Sequence, residues 1–231
     1  MPSSRRALVT GASSGIGKAI ATRLLASGWE VVGVAKTAAD IPNPKFSSLQ
    51  VDLADGAAAT KAARDAGPVQ AFVHAAGLMR TGPLGKLKPE DSELMWRVHV
   101  DAAIRIADVV VPAMAAAGYG RVVLLGSRAA QGGPSRSQYA ASKGALVGMA
   151  RSWAAEVVAQ GVTINVVAPA ATDTPMLRDP GRAGAAPKVP PIGRLIKPEE
   201  VAGLVNYLLS DEAAPITGQE ILVCGGGSLF R

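Results

Sequence analysis

Apolar positions along this chain follow two rhythms that take turns. Short apolar runs of strand length occupy residues 7–9, 30–35, 48–51, 69–75, 121–125, 163–168 and 220–223, and most close on a glycine, a proline or a polar residue. Between them, apolar residues recur at three- and four-residue spacing, which predicts helices from residue 17 to about 27 and over 55–66, 89–117 and 137–160, with a last one opening at Pro198-Glu199-Glu200. The helix over 89–117 presents Trp96, Val100, Ile104, Ala107 and Val111 on its apolar face. The one over 137–160 presents Ala141, Ala145, Leu146, Met149, Ala150, Trp153, Ala154, Val157 and Val158.

Strand and helix alternate throughout, so the pattern predicts an α/β domain. Only a short segment with Pro42 and Pro44 separates the second and third strands, so the crossover helix expected there is lost or reduced to a turn. Residues 178–191 are rich in Pro, Gly and Ala and show no period, which predicts a mobile loop. Long irregular stretches in compact domains are usually functional, so residues 178–196 are the expected substrate lid.

Length and composition narrow the picture. The 231 residues suit one domain, residues 1–231, with a sizeable core and no room for a second of typical size. With 48% apolar residues but only 4% aromatic, that core has to be built from Ala, Val, Leu and Ile. Cys224 is the one cysteine, which excludes an intrachain disulfide and a cysteine zinc cage and suits a reducing cytoplasm. The residues before the first strand lack the apolar region of a signal peptide, and no apolar run reaches the roughly 18 residues of a membrane span. The net charge of +6 is scattered, which favours anionic ligands over nucleic acid. No metal site is expected.

Chemistry enters at the first strand, which runs into Thr10-Gly-Ala-Ser-Ser-Gly-Ile-Gly17 and then a helix. In that setting Gly11 permits a tight turn, Gly15 lets the backbone approach a pyrophosphate, and Gly17 allows close helix packing. The N–H groups of the loop, with Ser13, Ser14 and Ile16, and the helix dipole meet negative charge. The second strand ends in Ala35-Lys36-Thr37, with no carboxylate before Asp40. In dinucleotide folds an acid there favours NAD and a base accommodates the 2′-phosphate of NADP. Lys36 therefore favours NADP, unless it is simply solvated.

A second centre lies between 126 and 143. Ser127 follows the fifth strand, at the carboxyl end where open α/β sheets place ligands. Tyr139 and Lys143 are four residues apart on the following helix and so share a face. A phenol titrates near ~10, and an ammonium about 4 Å away favours the phenolate by at most roughly three pKa units. A tyrosine so tuned exchanges a proton with an oxygen that Ser127 holds. Tyr-x-x-x-Lys on its own also suits an ordinary surface helix.

Taken in order, these pieces resemble the short-chain dehydrogenase/reductase family over nearly the whole chain. Thr10-Gly11-x3-Gly15-Ile16-Gly17 is similar to its coenzyme loop, Asp52-Leu53 to its adenine-contacting pair, and Ala75-Ala76-Gly77 to its strand-four motif. Ser127, Tyr139 and Lys143 match its catalytic residues. Asn165, Pro169, Thr172 and Thr174 fall where it carries a strand-six Asn and its nicotinamide contacts. Gly193-Arg194 through Glu200, and Gly218-Gln219 with Gly225-Gly226, resemble its C-terminal signature. Three positions depart: His99 stands for the fourth catalytic residue, an Asn; Ala170 stands for the glycine of Pro-Gly; Cys224 stands for an Asp.

The resemblance implies a doubly wound, Rossmann-type parallel sheet of about seven strands, order 3-2-1-4-5-6-7, with helices on both faces. It implies hydride transfer between NADP, or alternatively NAD, and a small carbonyl or alcohol. Ser127 would fix the carbonyl oxygen, Tyr139 would exchange its proton, and Lys143 would bind the nicotinamide ribose and favour the phenolate. His99 would keep the family's linking water through its backbone, relay protons itself, or leave the relay impaired. Arg80, Arg128 and Arg178 stand one each on the loops after strands four, five and six, and either bind an anionic substrate or are solvated. Homodimers or homotetramers through the long helices are the family's habit. The competing readings are an NAD-preferring alcohol dehydrogenase and a catalytically weak coenzyme-binding regulator, the latter favoured by His99 alone.

Overall fold

The computed structural model describes residues 5–182 and 187–229. Its strands are β1 (Arg6–Thr10), β2 (Glu30–Ala35), β3 (Phe46–Gln50), β4 (Ala71–His74), β5 (Gly120–Leu125), β6 (Val162–Pro169) and β7 (Glu220–Val223). They form one parallel sheet in the order β3-β2-β1-β4-β5-β6-β7. The helices are α1 (Gly15–Ala26), α2 (Gly56–Asp65), α3 (Pro89–Trp96), α4 (Ala102–Ala116), α5 (Ser137–Val157) and α6 (Pro198–Leu208). Parallel strands need crossovers, and the helices cover both faces of the sheet, so the central strands are largely apolar and almost wholly buried.

Alternate residues of each strand enter different cores. Leu8, Phe72, Val122 and Ile164 pack with Ala59, Ile106 and Leu146 of α2, α4 and α5. Val9, Val73, Val123 and Val167 pack on the other face with Ile20 and Leu24 of α1 and Val201 and Val205 of α6. All of these side chains are essentially inaccessible to solvent. Asn165 is a buried polar exception on β6: it accepts from Gln219 N–H at 3.1 Å and donates to the Ile216 carbonyl at 2.8 Å, which sets the entry of β7.

No helix joins β2 to β3, as the prolines predict. The third strand begins at Phe46, earlier than the apolar pattern suggests. Phe46 packs over Gly33, where a Cβ would lie 2.7 Å from the ring, while Ser47 and Ser48 sit exposed on this edge strand and hide its period.

The helix expected over 89–117 is interrupted. A π-turn, Arg97–Asp101, separates α3 from α4. One extra residue rotates the following face by about 100°; Val100, Ala107 and Val111 are buried as expected, joined by Met95, His99, Ala102, Ala103, Ile106, Val110 and Met114. Trp96 and Ile104, expected on the apolar face, are 49% and 43% exposed. The expected loop at 178–196 falls partly outside the described residues, at 183–186. Before that gap the chain makes two 3-10 turns, Pro175–Arg178 and Pro180–Arg182, and after it Ile196 bridges to Thr172.

Candidate active site

The carboxyl ends of β1, β4, β5 and β6 open into a cavity of about 760 Å³, within the roughly 300–1,000 Å³ of small-molecule sites. One end is lined by backbone. Gly11 has φ +70° and donates its N–H to the Val34 carbonyl at 2.8 Å. A Cβ on Gly11 would lie 2.8 Å from the Ala75 carbonyl oxygen, and one on Gly17 would strike the Gly11 carbonyl oxygen. Gly17 is therefore required by closure of the loop on itself, in addition to any packing of the helix. Ser14 precedes α1 without a side-chain cap, and no acid occupies the first turn of α1. The helix N-terminus is thus left to a ligand, and its chemistry fits a pyrophosphate. Ser13, Ser14, Gly15, Ile16, Asp52, Leu53, Ala75, Ala76, Gly77, Pro169, Thr172 and Thr174 all line the cavity.

Lys36 lines it too, but not as a lone base. Its Nζ lies 2.7 Å from Asp52 Oδ2 in an exposed pair, and that contact holds the Asp52 carboxyl below its ordinary range.

At the other end Ser127, Tyr139 and Lys143 converge. Ser127 ends the β5 excursion and caps a 3-10 turn, Arg128–Gln131, by accepting the Ala129 N–H at 3.1 Å. Its hydroxyl proton remains available, and a hydrogen bond from Ser127 is the leading influence favouring the Tyr139 phenolate. Burial opposes it and is larger, so Tyr139 titrates above the ordinary phenol value rather than below it. The expectation that Lys143 lowers Tyr139 is therefore not met: Arg182 and Arg136 are the cations that act on the phenol. Lys143 is 4% exposed, donates to the Leu125 carbonyl at 2.7 Å, and is brought down to about 7 by desolvation.

His99 stands in the π-turn behind this group and does not line the cavity. Its Nε2 accepts the Leu78 N–H at 3.0 Å, so Nδ1 carries the proton and donates to Ser142 Oγ at 2.9 Å; Ser142 in turn donates to the Tyr139 carbonyl at 2.9 Å. The ring also meets the Tyr139 ring edge-on at 5.7 Å. His74, at the end of β4, has the opposite tautomer. Thr10 Oγ1 accepts the N–H groups of Ala75 and Ala76 and so donates its own proton to His74 Nδ1 at 3.1 Å. The His74 Nε2–H then donates to the Val98 carbonyl at 3.1 Å, within the π-turn. Burial and the Lys143 charge keep both imidazoles neutral: His74 falls to about 3 and His99 well below its ordinary value.

The arginines differ from expectation. Arg80 lines the cavity but is bound to Asp179 at 3.1 Å and faces Asp91 at 3.8 Å, tying the loop after β4 to the loop after β6. Arg178 does not line the cavity; it is 77% exposed and lies 3.5 Å from Asp173. Arg128 does line it, and is joined there by Arg136 and Arg182, which the sequence pattern did not single out. Arg136 lies three residues before Tyr139 in a stretch already suspected, so proximity was the available signal; Arg182 sits where no period exists. Among the described residues no group of three or more His, Cys, Asp or Glu could hold a metal, and no helix is long and apolar enough to cross a membrane.

Comparison with known proteins gives this geometry a context. A family described as Enoyl-(Acyl carrier protein) reductase matches residues 11–228. The 3-oxoacyl-(acyl-carrier-protein) reductase FabG of Escherichia coli is 37% identical over 95% of this chain and 96% of its own. L-xylulose reductase of Bos taurus is 34% identical over 96% of both. Among solved structures, a short chain dehydrogenase/reductase family protein superposes with a TM-score of 0.89 at 33% identity, covering 97% of each chain. A blue fluorescent protein from a metagenomic library, in complex with NADPH, gives 0.85 at 31% identity over 97% of this chain and 98% of its own. A 3-ketoacyl-(acyl-carrier-protein) reductase from Brucella melitensis, complexed with NADH, gives 0.88 at 26% identity with the same coverage.

Proposed function

The chain belongs to the short-chain dehydrogenase/reductase family, an NAD(P)-dependent oxidoreductase that exchanges hydride with a carbonyl substrate, and from that premise we propose that it is an NADPH-preferring reductase of a small ketone or aldehyde with Tyr139 as its general acid. The observation that carries this reading is the meeting of Ser127, Tyr139 and Lys143 in one cavity with the glycine loop.

In this reading the N–H groups of residues 11–17 hold the pyrophosphate, Asp52 and Leu53 flank the adenine, and Lys36 receives the 2′-phosphate. The nicotinamide, when bound, supplies the hydride. Ser127 orients the carbonyl oxygen, since its oxygen already accepts the Ala129 N–H and its hydroxyl proton is left to donate. Tyr139 delivers a proton to that oxygen as charge develops there. A phenol raised by burial is protonated at neutral pH and so begins as an acid, which suits reduction. Lys143, titrating at about 7, replaces the proton. His99 is a positioning residue, because both its nitrogens are engaged in holding Leu78 to the Tyr139 helix. That intact set argues against the regulator reading.

Of the stretch 178–196, Arg182 and residues 187–191 line the cavity and would cover the substrate, and the chain acts as one domain. Self-association through the α3–α4 side, where Trp96 and Ile104 are exposed, completes the proposal.

The test is oxidation of NADPH, and of NADH alongside, against a panel of small ketones and aldehydes with wild type and Tyr139→Phe. Turnover by wild type that falls by about 100-fold or more in Tyr139→Phe supports the assignment. Turnover that survives the substitution overturns it.

A further inference from the structure

The cavity carries one sign of charge at its substrate end. Arg128 follows Ser127 directly, Arg136 precedes α5, and Arg182 closes the turn Pro180–Arg182. The only carboxylate among the described lining residues is Asp52, at the ends of β2 and β3, and it is committed to Lys36. Asp179 is an acid that acts on Arg182, but it does not line the cavity, accepts Gly181 N–H at 2.7 Å, and gives both oxygens to Arg80.

Arg182 is partly buried, and its Nε has no hydrogen-bond partner among the described residues. A guanidinium N–H withdrawn from water and left without an acceptor is costly, and an oxygen-bearing ligand removes that cost. Arg136 and Arg182 also repel one another across this wall, and both act on the Tyr139 phenol. The residue before Arg136, Ser135, is held at φ +60°, a conformation that L side chains rarely adopt, and its carbonyl accepts Gly82 N–H at 3.0 Å. Backbone strain of this kind collects at functional sites. Here it sets the point from which Arg136 enters the cavity.

Two like charges kept close beside a proton donor call for an anion between them. We propose that the carbonyl substrate is a keto carboxylate, its carboxylate held by Arg136 and Arg182 with Arg128 alongside, and its carbonyl at Ser127 and Tyr139. Planar guanidinium groups match a carboxylate through paired hydrogen bonds, which makes arginine the suitable residue type. The proposal rests on the reductase reading, whose substrate class it names.

The experiment compares α- and β-keto carboxylates with their methyl esters, using the coenzyme-loaded protein. For wild type, kcat/KM for the better acid exceeds that of its ester by about ten-fold or more, the range of a charged hydrogen bond. In Arg182→Gln and Arg136→Gln that preference disappears, and KM rather than kcat carries the change. Calorimetric titration of the same acids and esters into coenzyme-loaded Tyr139→Phe reads binding without turnover and shows the same preference for acid. If no acid outperforms its ester in either assay, the proposal is overturned while the reductase reading stands. If acids bind preferentially but wild type turns nothing over, the anion site stands and the reductase reading fails. A preference that survives both arginine substitutions overturns the assignment to these residues.

Discussion

At the coenzyme end of the cavity the proposed contacts are made mainly by backbone, on a loop of a few consecutive residues from Gly11 to Gly17. At the substrate end they would be made by side chains from the loops after β5 and β6 and from α5, and the charges proposed to act there, Arg136 and Arg182, sit in stretches with no period of their own. A site made of backbone needs particular residues to be absent of side chain, so its sequence is constrained and readable. A site made of side chains on loops needs only that the loops converge, and convergence is a property of the fold.

The largest expected effect tests the backbone end. Gly17→Ala puts a Cβ against the Gly11 carbonyl, and backbone cannot yield as a flexible side chain does. Overpacking of this kind costs up to about 3 kcal/mol, so coenzyme affinity measured by fluorescence titration falls by about 100-fold. Gly144→Ala, on α5 where an added Cβ meets nothing within 4 Å, leaves it unchanged. Equal affinity in the two variants would remove the distinction between the ends.

The same contrast explains what could be read in advance. The alternation of strand and helix, the missing helix between β2 and β3, and the glycine loop follow from local pattern, the strand order follows from the family resemblance, and Ser127, Tyr139 and Lys143 follow from spacing together with that resemblance. The π-turn does not. Nothing in the periodicity of Arg97-Val98-His99-Val100-Asp101 marks an extra residue per turn, and the Val98 carbonyl within it is satisfied by His74 from β4. Trp96 precedes the turn, and Ile104 lies at the margin of the α4 face that Ala107 and Val111 keep buried. Of the arginines, Arg128 lines the cavity and Arg178 is exposed, one of the two alternatives the sequence left open, while the partners of Arg80 and Arg178, Asp179 and Asp173, are visible only in the folded chain.

A second, smaller effect probes the seam between the two ends. His99→Leu keeps the volume but strands the Leu78 N–H and deprives Ser142 of its donor. Leaving such groups unmatched costs about 2–4 kcal/mol in all, which for a chain of this size lowers the melting temperature by roughly 5–15 °C. Calorimetry checks the stability, and steady-state kinetics should show kcat falling with it, because Leu78 and the Tyr139 helix lose their common tie. A variant as stable and as active as wild type would mean His99 positions nothing.

Acid and base then separate the buried cations from the exposed ones. His74 falls from 6.5 to about 3 in the fold, so the unfolded chain binds more protons across that window and stability is lost as pH drops through it. Lys143 falls from 10.5 to about 7, so its contribution has the same sign: the cost of a buried ammonium is present in full below about 7 and is relieved as pH rises towards 10.5. Lys143→Met should therefore be more stable than wild type at neutral pH, with the difference shrinking from pH 7 to 10.5 in melting temperatures taken across that range. A difference that stays constant with pH would show that Lys143 is not the group being titrated.

The smallest effect concerns Lys36, and it decides how the coenzyme end reads charge. The Lys36–Asp52 pair is 78% and 45% exposed, and exposed pairs contribute about 1 kcal/mol at most, so a coenzyme phosphate can take the lysine from Asp52. On that argument Lys36→Ala weakens NADPH about five- to ten-fold, leaves NADH unchanged, and flattens the salt dependence of NADPH binding. Asp52→Asn should shift NADPH the other way, because it frees the lysine, although any adenine contact made by Asp52 would weaken both coenzymes together. Their ratio is therefore the quantity to compare. If NADPH and NADH respond alike to Lys36→Ala, the pair is a closed surface contact. The coenzyme end would then recognise shape and pyrophosphate through its glycines alone, with charge recognition confined to the arginines at the other end.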